Sequence, residues 1–345
     1  MDFPPFEHAA WLARAWRRGA PRHDLGASGF RSPVVMDILG GAIEPQDVEG
    51  MDLHAETELR DALAARHGVA PDQVRVTAGT SSANAAVIAS LVEPGTTVVC
   101  ERPTYLPLPA LAEGFGARIR WVDGPDGLAD AVTDDTSLVL LTSPNNPTGR
   151  PVPEATLRRI GDAAAAVGAH VVVDQVYREL TDRPVAATLH DAIVSTAGFN
   201  KCWGAPGLRV GWATGHPDVM ARVEETHRLM PLAPPTFGTR MARRLLDHEA
   251  LCRAALDDHL QAAHELYRAW ATERGMDADV HGLVAFPAVP DSQATAERLV
   301  AAGILTVPGE CFGAPDHLRI GFGAGLVELE AALAALSAGL DTQTF

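Results

Sequence analysis

The chain has 345 residues, and its 28 basic against 44 acidic side chains give a formal net charge of −16. That length predicts a large and a smaller domain rather than one small one, and the acidity argues against the basic footprint that neutralising nucleic-acid phosphates requires. Four scattered cysteines without a CxxC pair read as free thiols rather than disulfides or a metal site, and the absence of an apolar leader or a span of about 20 apolar residues predicts a cytoplasmic protein.

In chain order, the glycine-rich segment 1–40 is expected to pack with the smaller domain, ahead of a large domain over 41–215 and a small one over 216–345. Strand-like apolar runs fall at Thr97–Cys100, Arg118–Val122, Ser137–Thr142, His170–Asp174, Ala192–Ala197 and Arg209–Thr214. Helical stretches lie among them at Ser81–Val92, Leu106–Phe115 and Glu154–Val167. Near-continuous apolar strands alternating with helices predict an α/β fold with a mostly parallel sheet covered on both faces. In such sheets ligands sit beyond the carboxyl ends of the strands. After residue 215 the texture becomes α+β: long helices near Asp218–Leu229, Phe237–Asp247 and Leu251–Arg274, then short strands near Val280–Phe286, Ile304–Val307 and Leu318–Gly321, and a closing helix Leu326–Leu340.

The chemistry-bearing residues cluster at the predicted strand ends. Gly79-Thr80-Ser81-Ser82 opens a helix after a strand, a place that offers free N–H groups and a positive dipole end to a phosphate, or an ordinary N-cap. The turn Ser143-Pro144-Asn145-Asn146-Pro147-Thr148-Gly149 reads as a stiff loop holding the Asn146 amide above the sheet. Asp174 ends an apolar strand and needs a cationic partner or hydrogen bonds there, with Tyr177 three residues on. Arg319 lies inside an apolar strand, where it is either an edge residue or waiting for a carboxylate.

One lysine, Lys201, stands in a chain whose other strong bases are all arginine. Codon bias toward arginine accounts for the rest but not for this survivor. An amine that must lose its proton and form an imine cannot be replaced by a guanidinium. Together these residues suit pyridoxal 5′-phosphate (PLP), which needs an amine for its aldehyde, an acid for its ring nitrogen, donors for its phenolic oxygen, a phosphate cradle and a stacking partner.

The motifs PNNPTG at 144–149, DQVY at 174–177, NKxxGxxGLRxG at 200–211, PGTTVVCERPTY at 94–105 and VPGxxFG…LRIGFG at 307–323 resemble the fold-type I, class I/II PLP-dependent aminotransferases, the aspartate aminotransferase superfamily. The resemblance runs from about Gly26 to Gly323. It implies a PLP-binding homodimer that moves an amino group between an L-amino acid and a 2-oxo acid through a Schiff base on Lys201. By the same resemblance Asp174 would pair with the pyridinium nitrogen, Asn146 and Tyr177 would bond the phenolic oxygen, and Tyr105 would stack on the ring. Gly79, Thr80, Ser81 and Arg209 would hold the phosphate, and Arg319 would clamp the substrate α-carboxylate. No metal is implied. The same fold also supports β-elimination, decarboxylation or cyclisation of an amino acid, since bond orientation at Cα decides among them.

Four departures from the family pattern stand out. Gly198 occupies the place of a phosphate-binding serine. No tyrosine appears in Gly50-Met51-Asp52-Leu53-His54 ahead of Glu58-Leu59-Arg60. The N-terminal arm is short, and no arginine is assignable to a side-chain carboxylate.

Overall fold

The computed structural model describes residues 3–41, 52–231 and 233–341; Gly50 and Met51, part of the stretch read as lacking a tyrosine, lie outside them. Its centre is a seven-stranded sheet of β2 (Val74–Thr77), β3 (Thr97–Arg102), β4 (Arg118–Asp123), β5 (Thr136–Thr142), β6 (His170–Asp174), β7 (Ile193–Gly198) and β8 (Gly211–Thr214). The order is β2-β8-β7-β6-β5-β3-β4, with β8 alone running antiparallel to its neighbours. β8 begins at Gly211 rather than at Arg209, because Arg209 takes a left-handed backbone conformation (φ 53°) that no strand accommodates.

Successive side chains of a strand point to opposite faces, and here both faces are apolar. Val98, Cys100, Leu138, Leu140 and Val172 pack under α4 (Thr80–Leu91), α5 (Pro107–Gly114) and α7 (Pro217–Leu229). Val99, Val139, Leu141, Val171 and Val173 pack under α6 (Glu154–Ala166). The carboxyl ends of β3, β5, β6 and β7 therefore meet along one edge. The segments leading to Tyr105, Asn146, Tyr177 and Lys201 all leave from it.

A second layer holds a three-stranded antiparallel sheet, β11 (Val307–Pro308)-β12 (Leu318–Gly321)-β9 (Val284–Ala285), and a parallel pair of β1 (His23–Asp24) with β10 (Ile304–Leu305). Only Val284–Ala285 of the expected strand at 280–286 is paired in a strand. The long α9 (Glu249–Glu273), α10 (Ser292–Ala301) and α11 (Leu326–Asp341) cover these strands. Tyr267, Phe312 and Phe322 centre their core. The N-terminal α1 (Glu7–Arg17) joins it through Trp11, whose indole N–H donates 2.7 Å to the Thr306 carbonyl.

Helices α7 and α8 (Thr236–Asp247) fall within the segment expected to form the small domain, yet their buried faces belong to the large sheet. Val219, Met220 and Val223 join the core beneath α4. Ala242 and Leu245 pack with Leu59 and Leu63 of α3 (Leu53–His67). The change of texture at residue 215 marks the end of the sheet, not the end of the chain's packing against it. Among the described residues no helix is long and apolar enough to cross a membrane.

Candidate active site

A cavity of about 260 Å³ opens at the carboxyl edge of the sheet. Its walls include Thr80, Ser81, Tyr105, Asn146, Asp174, Tyr177 and Lys201, residues brought from five different segments.

At one end the chain turns sharply from β2 into α4. Gly79 takes φ +87°, and a Cβ there would stand 2.9 Å from Arg209 Nη2, so only glycine lets the guanidinium approach the helix start. The Arg209 side chain makes no hydrogen bond or ion pair among the described residues. Beside it the Thr80 hydroxyl is buried without a partner. The first N–H groups of α4 are orphan donors like those of any helix start. A helix N-terminus, an unpaired arginine and an orphan hydroxyl thus converge on one point.

The glycine at 198 has a steric reason. A Cβ there would meet Thr80 Oγ1 at 2.3 Å and the Val210 carbonyl at 3.0 Å. The Thr80 hydroxyl fills the space a serine would need.

In the middle of the cavity lie an acid and an amine. Asp174 is buried; its Oδ1 accepts from the Val176 N–H at 2.9 Å and its Oδ2 from Asn84 Nδ2 at 2.8 Å. Burial pushes its carboxyl above the usual range, while these two bonds act against that shift. The Lys201 amine donates to Ser28 Oγ at 3.0 Å. Burial, then the positive charge of Arg319, lowers its pKa to about 8, with Asp174 opposing. An amine so placed is available as a neutral nucleophile near physiological pH. The Tyr177 hydroxyl donates 3.0 Å to the Ser28 carbonyl, so its proton goes to the protein and its lone pairs face the pocket; burial raises the phenol to about 12. Burial also raises the phenol of Tyr105.

At the far end Arg319 is fully buried. Its Nη1 donates to Asn146 Oδ1 at 3.2 Å and its Nη2 to the Gly26 carbonyl at 2.6 Å, and it lies 5.0 Å over the Phe312 ring. Its Nε is buried without a partner. No acidic side chain of the described residues forms an ion pair with it, and burial lowers its pKa. A buried guanidinium held only by neutral oxygens and a neutral imidazole is costly unless a carboxylate arrives to complete it. Asn146 gives its carbonyl oxygen to Arg319 and leaves its Nδ2 free to donate into the cavity.

Sequence reading missed Ser28, Asn84 and His8. Asn84 links Thr196 to Asp174, its Oδ1 taking the Thr196 hydroxyl; its signal was a lone amide inside the alanine-rich α4. His8 of α1 lines the cavity with its Nε2 3.4 Å from Arg319 Nη2. Burial first, and then the Arg319 and Lys201 charges, push its imidazole down to about 2 and keep it neutral. Nothing local marks Ser28 or His8, since each meets residues more than 100 positions away.

These donors fit PLP: an orphan hydroxyl and an unpaired arginine at a helix start for phosphate, a buried acid, and the chain's one lysine. Among the described residues no group of three His, Cys, Asp or Glu side chains is arranged to hold a metal.

Comparison with known proteins agrees. Residues 45–336 match the family model for aminotransferase class I and II. The chain is 34% identical over 312 residues to the capreomycidine synthase of Streptomyces vinaceus, covering 83% of this chain and 79% of that one. It is 31% identical to the histidinol-phosphate aminotransferase of Halobacterium salinarum, covering 84% and 82%. Its fold superposes on an aspartate aminotransferase of Thermus thermophilus with maleate at a TM-score of 0.87, with 22% identity over 98% and 97% of the two chains. The chain therefore belongs to the class I and II aminotransferases, PLP-dependent enzymes of fold type I.

Proposed function

We propose that this PLP-dependent aminotransferase moves an amino group between an L-amino acid and a 2-oxo acid, with Lys201 as the amine that holds the cofactor and carries the Cα proton. The carrying observation is Arg319, a fully buried guanidinium without an acidic partner among the described residues. It lies beside the Asn146 amide in a cavity that also holds the chain's single lysine. Bound PLP supplies an electron sink for negative charge developing at Cα.

The protein's part is to bind, orient and move protons. Arg319 takes the α-carboxylate in a charge-assisted, bidentate contact that fixes Cα beside Lys201. Asp174, held by Asn84 and the Val176 N–H, keeps the ring nitrogen protonated. Asn146 Nδ2 would donate to the phenolic oxygen, and the Tyr177 hydroxyl would turn from the Ser28 carbonyl to donate to the same oxygen. Tyr105 stacks on the ring. The α4 start, with Gly79, Thr80, Ser81 and Arg209, grips the phosphate, and the Thr80 hydroxyl takes the part a serine at 198 would play. The Lys201 amine, neutral above about pH 8, would take the proton from Cα and pass it to the carbon that carried the cofactor's aldehyde. We read the working form as a cytoplasmic homodimer, on the family resemblance.

The second reading is cyclisation of an amino acid on the same residues, favoured by the 34% identity to a capreomycidine synthase. A half-reaction screen tests both. Amino acids mixed singly with the loaded protein should yield the corresponding 2-oxo acid and the amino form of the cofactor. Ammonia or a cyclised product with the cofactor unchanged would instead establish the second reading. Borohydride reduction should leave the cofactor on a single peptide spanning Lys201, and a label elsewhere would overturn the assignment.

A further inference from the structure

We propose that Ser28 is a positioning residue for the Lys201 amine, holding Nζ and its lone pair toward the reacting carbon whenever that amine is free.

Ser28 lies in the loop after β1, and that loop contacts Arg319, Tyr177 and Lys201. The Gly26 carbonyl accepts from Arg319 at 2.6 Å and the Ser28 carbonyl from Tyr177 at 3.0 Å. The Phe30 N–H donates to the Lys201 carbonyl at 2.8 Å. The Ser28 hydroxyl, itself buried, takes the Lys201 amine at 3.0 Å.

The loop is clamped on both sides. The Gly26 and Ala27 N–H groups donate to Asp24 Oδ1, and Gly321 N–H donates to the Leu25 carbonyl at 2.7 Å. A Cβ on Gly321 would stand 1.9 Å from the Ala27 carbonyl, and one on Gly323 the same distance from that of Gly29. The loop therefore lies flush on the end of β12 and presents the Ser28 hydroxyl from a fixed backbone.

A fixed hydroxyl is what a lysine needs here. The four-carbon stem of lysine is flexible, and its amine is effective only when held near its reaction partner. The serine hydroxyl oxygen accepts an N–H from the ammonium and from the neutral amine alike, which leaves the neutral amine's lone pair free, so the bond survives both protonation states of Lys201. The bond to the ammonium is the stronger. Ser28 should therefore hold the amine's pKa up against burial and the Arg319 charge. The other titratable groups facing this amine are Asp174, Cys202, Tyr177, Tyr105 and His8.

The inference rests on Lys201 as the reacting amine, and the single lysine makes the two separable. In the cofactor-free protein, acetic anhydride labelling followed by peptide mass spectrometry reads the Lys201 titration alone, near pH 8 in the native chain. Ser28→Ala should lower that midpoint by roughly 0.5–1 pH unit. In the loaded protein it should slow single-turnover conversion of an amino acid about tenfold, with spectroscopic amino-acid binding within about twofold. Ser28→Thr should restore both. If Ser28→Ala misfolds, Ser28→Gly makes the same removal while keeping the carbonyl that Tyr177 uses. An unchanged Lys201 midpoint with an unchanged turnover rate in a folded hydroxyl-free variant overturns the proposal, as does failure of threonine to rescue. A borohydride label away from Lys201 would sink the Lys201 assignment while leaving the Ser28-dependent titration to stand or fall by itself.

Discussion

Arg66 and Arg319 are both largely withdrawn from water, and their surroundings differ in one respect. Arg66 of α3 pairs with Glu179 at 2.6 Å and also with Glu249, and stacks over Trp203. Burial works against its charge, but the hydrogen bonds of Glu249 and the nearby Glu179 more than offset this and its pKa is raised. Arg319 has two neutral oxygens, the neutral His8 ring, an unpartnered Nε and no carboxylate among the described residues, and its pKa is lowered. The first arrangement is complete within the chain and ties α3 to the Glu179 turn and α9. The second is a charge the fold has left unfinished, and that is what a site for an anionic ligand looks like before the ligand arrives.

The largest test sets the two arginines side by side. Arg319→Met should weaken amino-acid binding about 100-fold, since a buried charged hydrogen-bonded pair is lost. Its thermal stability should stay near that of the native protein, because an uncompensated buried charge goes with it. Arg66→Met should do the reverse, costing roughly 3 kcal/mol in denaturant unfolding by stranding Glu179 and Glu249, with amino-acid binding intact. Equal destabilisation by both variants would erase the distinction.

A smaller effect sharpens it at the phosphate end, where the orphan group is the Thr80 hydroxyl. Gly198→Ser forces a side chain against Thr80 Oγ1 and should weaken PLP binding about tenfold in equilibrium dialysis. Adding Thr80→Ala should free the space and recover most of the loss. No recovery would mean that the Thr80 hydroxyl does not share a position with the absent serine.

A pH-dependent effect concerns an intermediate case. Glu101 is buried at the end of β3, and its Oε1 accepts both the Thr142 N–H at 2.9 Å and Asn145 Nδ2 at 3.0 Å, so it braces the turn carrying Asn146. Burial raises its pKa from 4.5 to about 7 against those bonds. The folded chain thus holds this proton to higher pH than the unfolded chain, and stability from it is lost as pH rises from 4.5 through 7. Glu101→Gln keeps an acceptor oxygen for both bonds without the charge. Its stability relative to the native protein should improve between pH 5 and 8.5 by roughly 1–3 kcal/mol in denaturant melts. A gap that does not vary with pH would show that Glu101 does not titrate there.

The sheet was legible because strands buried on both faces must be apolar throughout, and β5 and β6 carry that signal in consecutive residues. The site residues at strand ends were legible for a related reason. An acid, an amide or a lone lysine directly after such a run has a fixed direction to point, as Asp174, Asn146 and Lys201 do. Helix α10, only ten residues long, went unread, and α7 and α8 were assigned to the wrong layer, because amphipathic spacing reports that a face is buried but not against what.

By itself the sequence pointed to PLP: one amine that arginine cannot replace, and an acid, an amide and a small-residue helix start at the ends of a parallel sheet. Tertiary structure alone decided which groups complete those residues. Ser28 reaches Lys201 across 173 positions, Asn84 reaches Asp174 across 90, and Thr80 comes close enough to Gly198 to exclude a serine. A hydrogen bond between distant segments leaves no trace in the local periodicity of either one. It exists only when the apolar runs have packed and brought their ends to one edge.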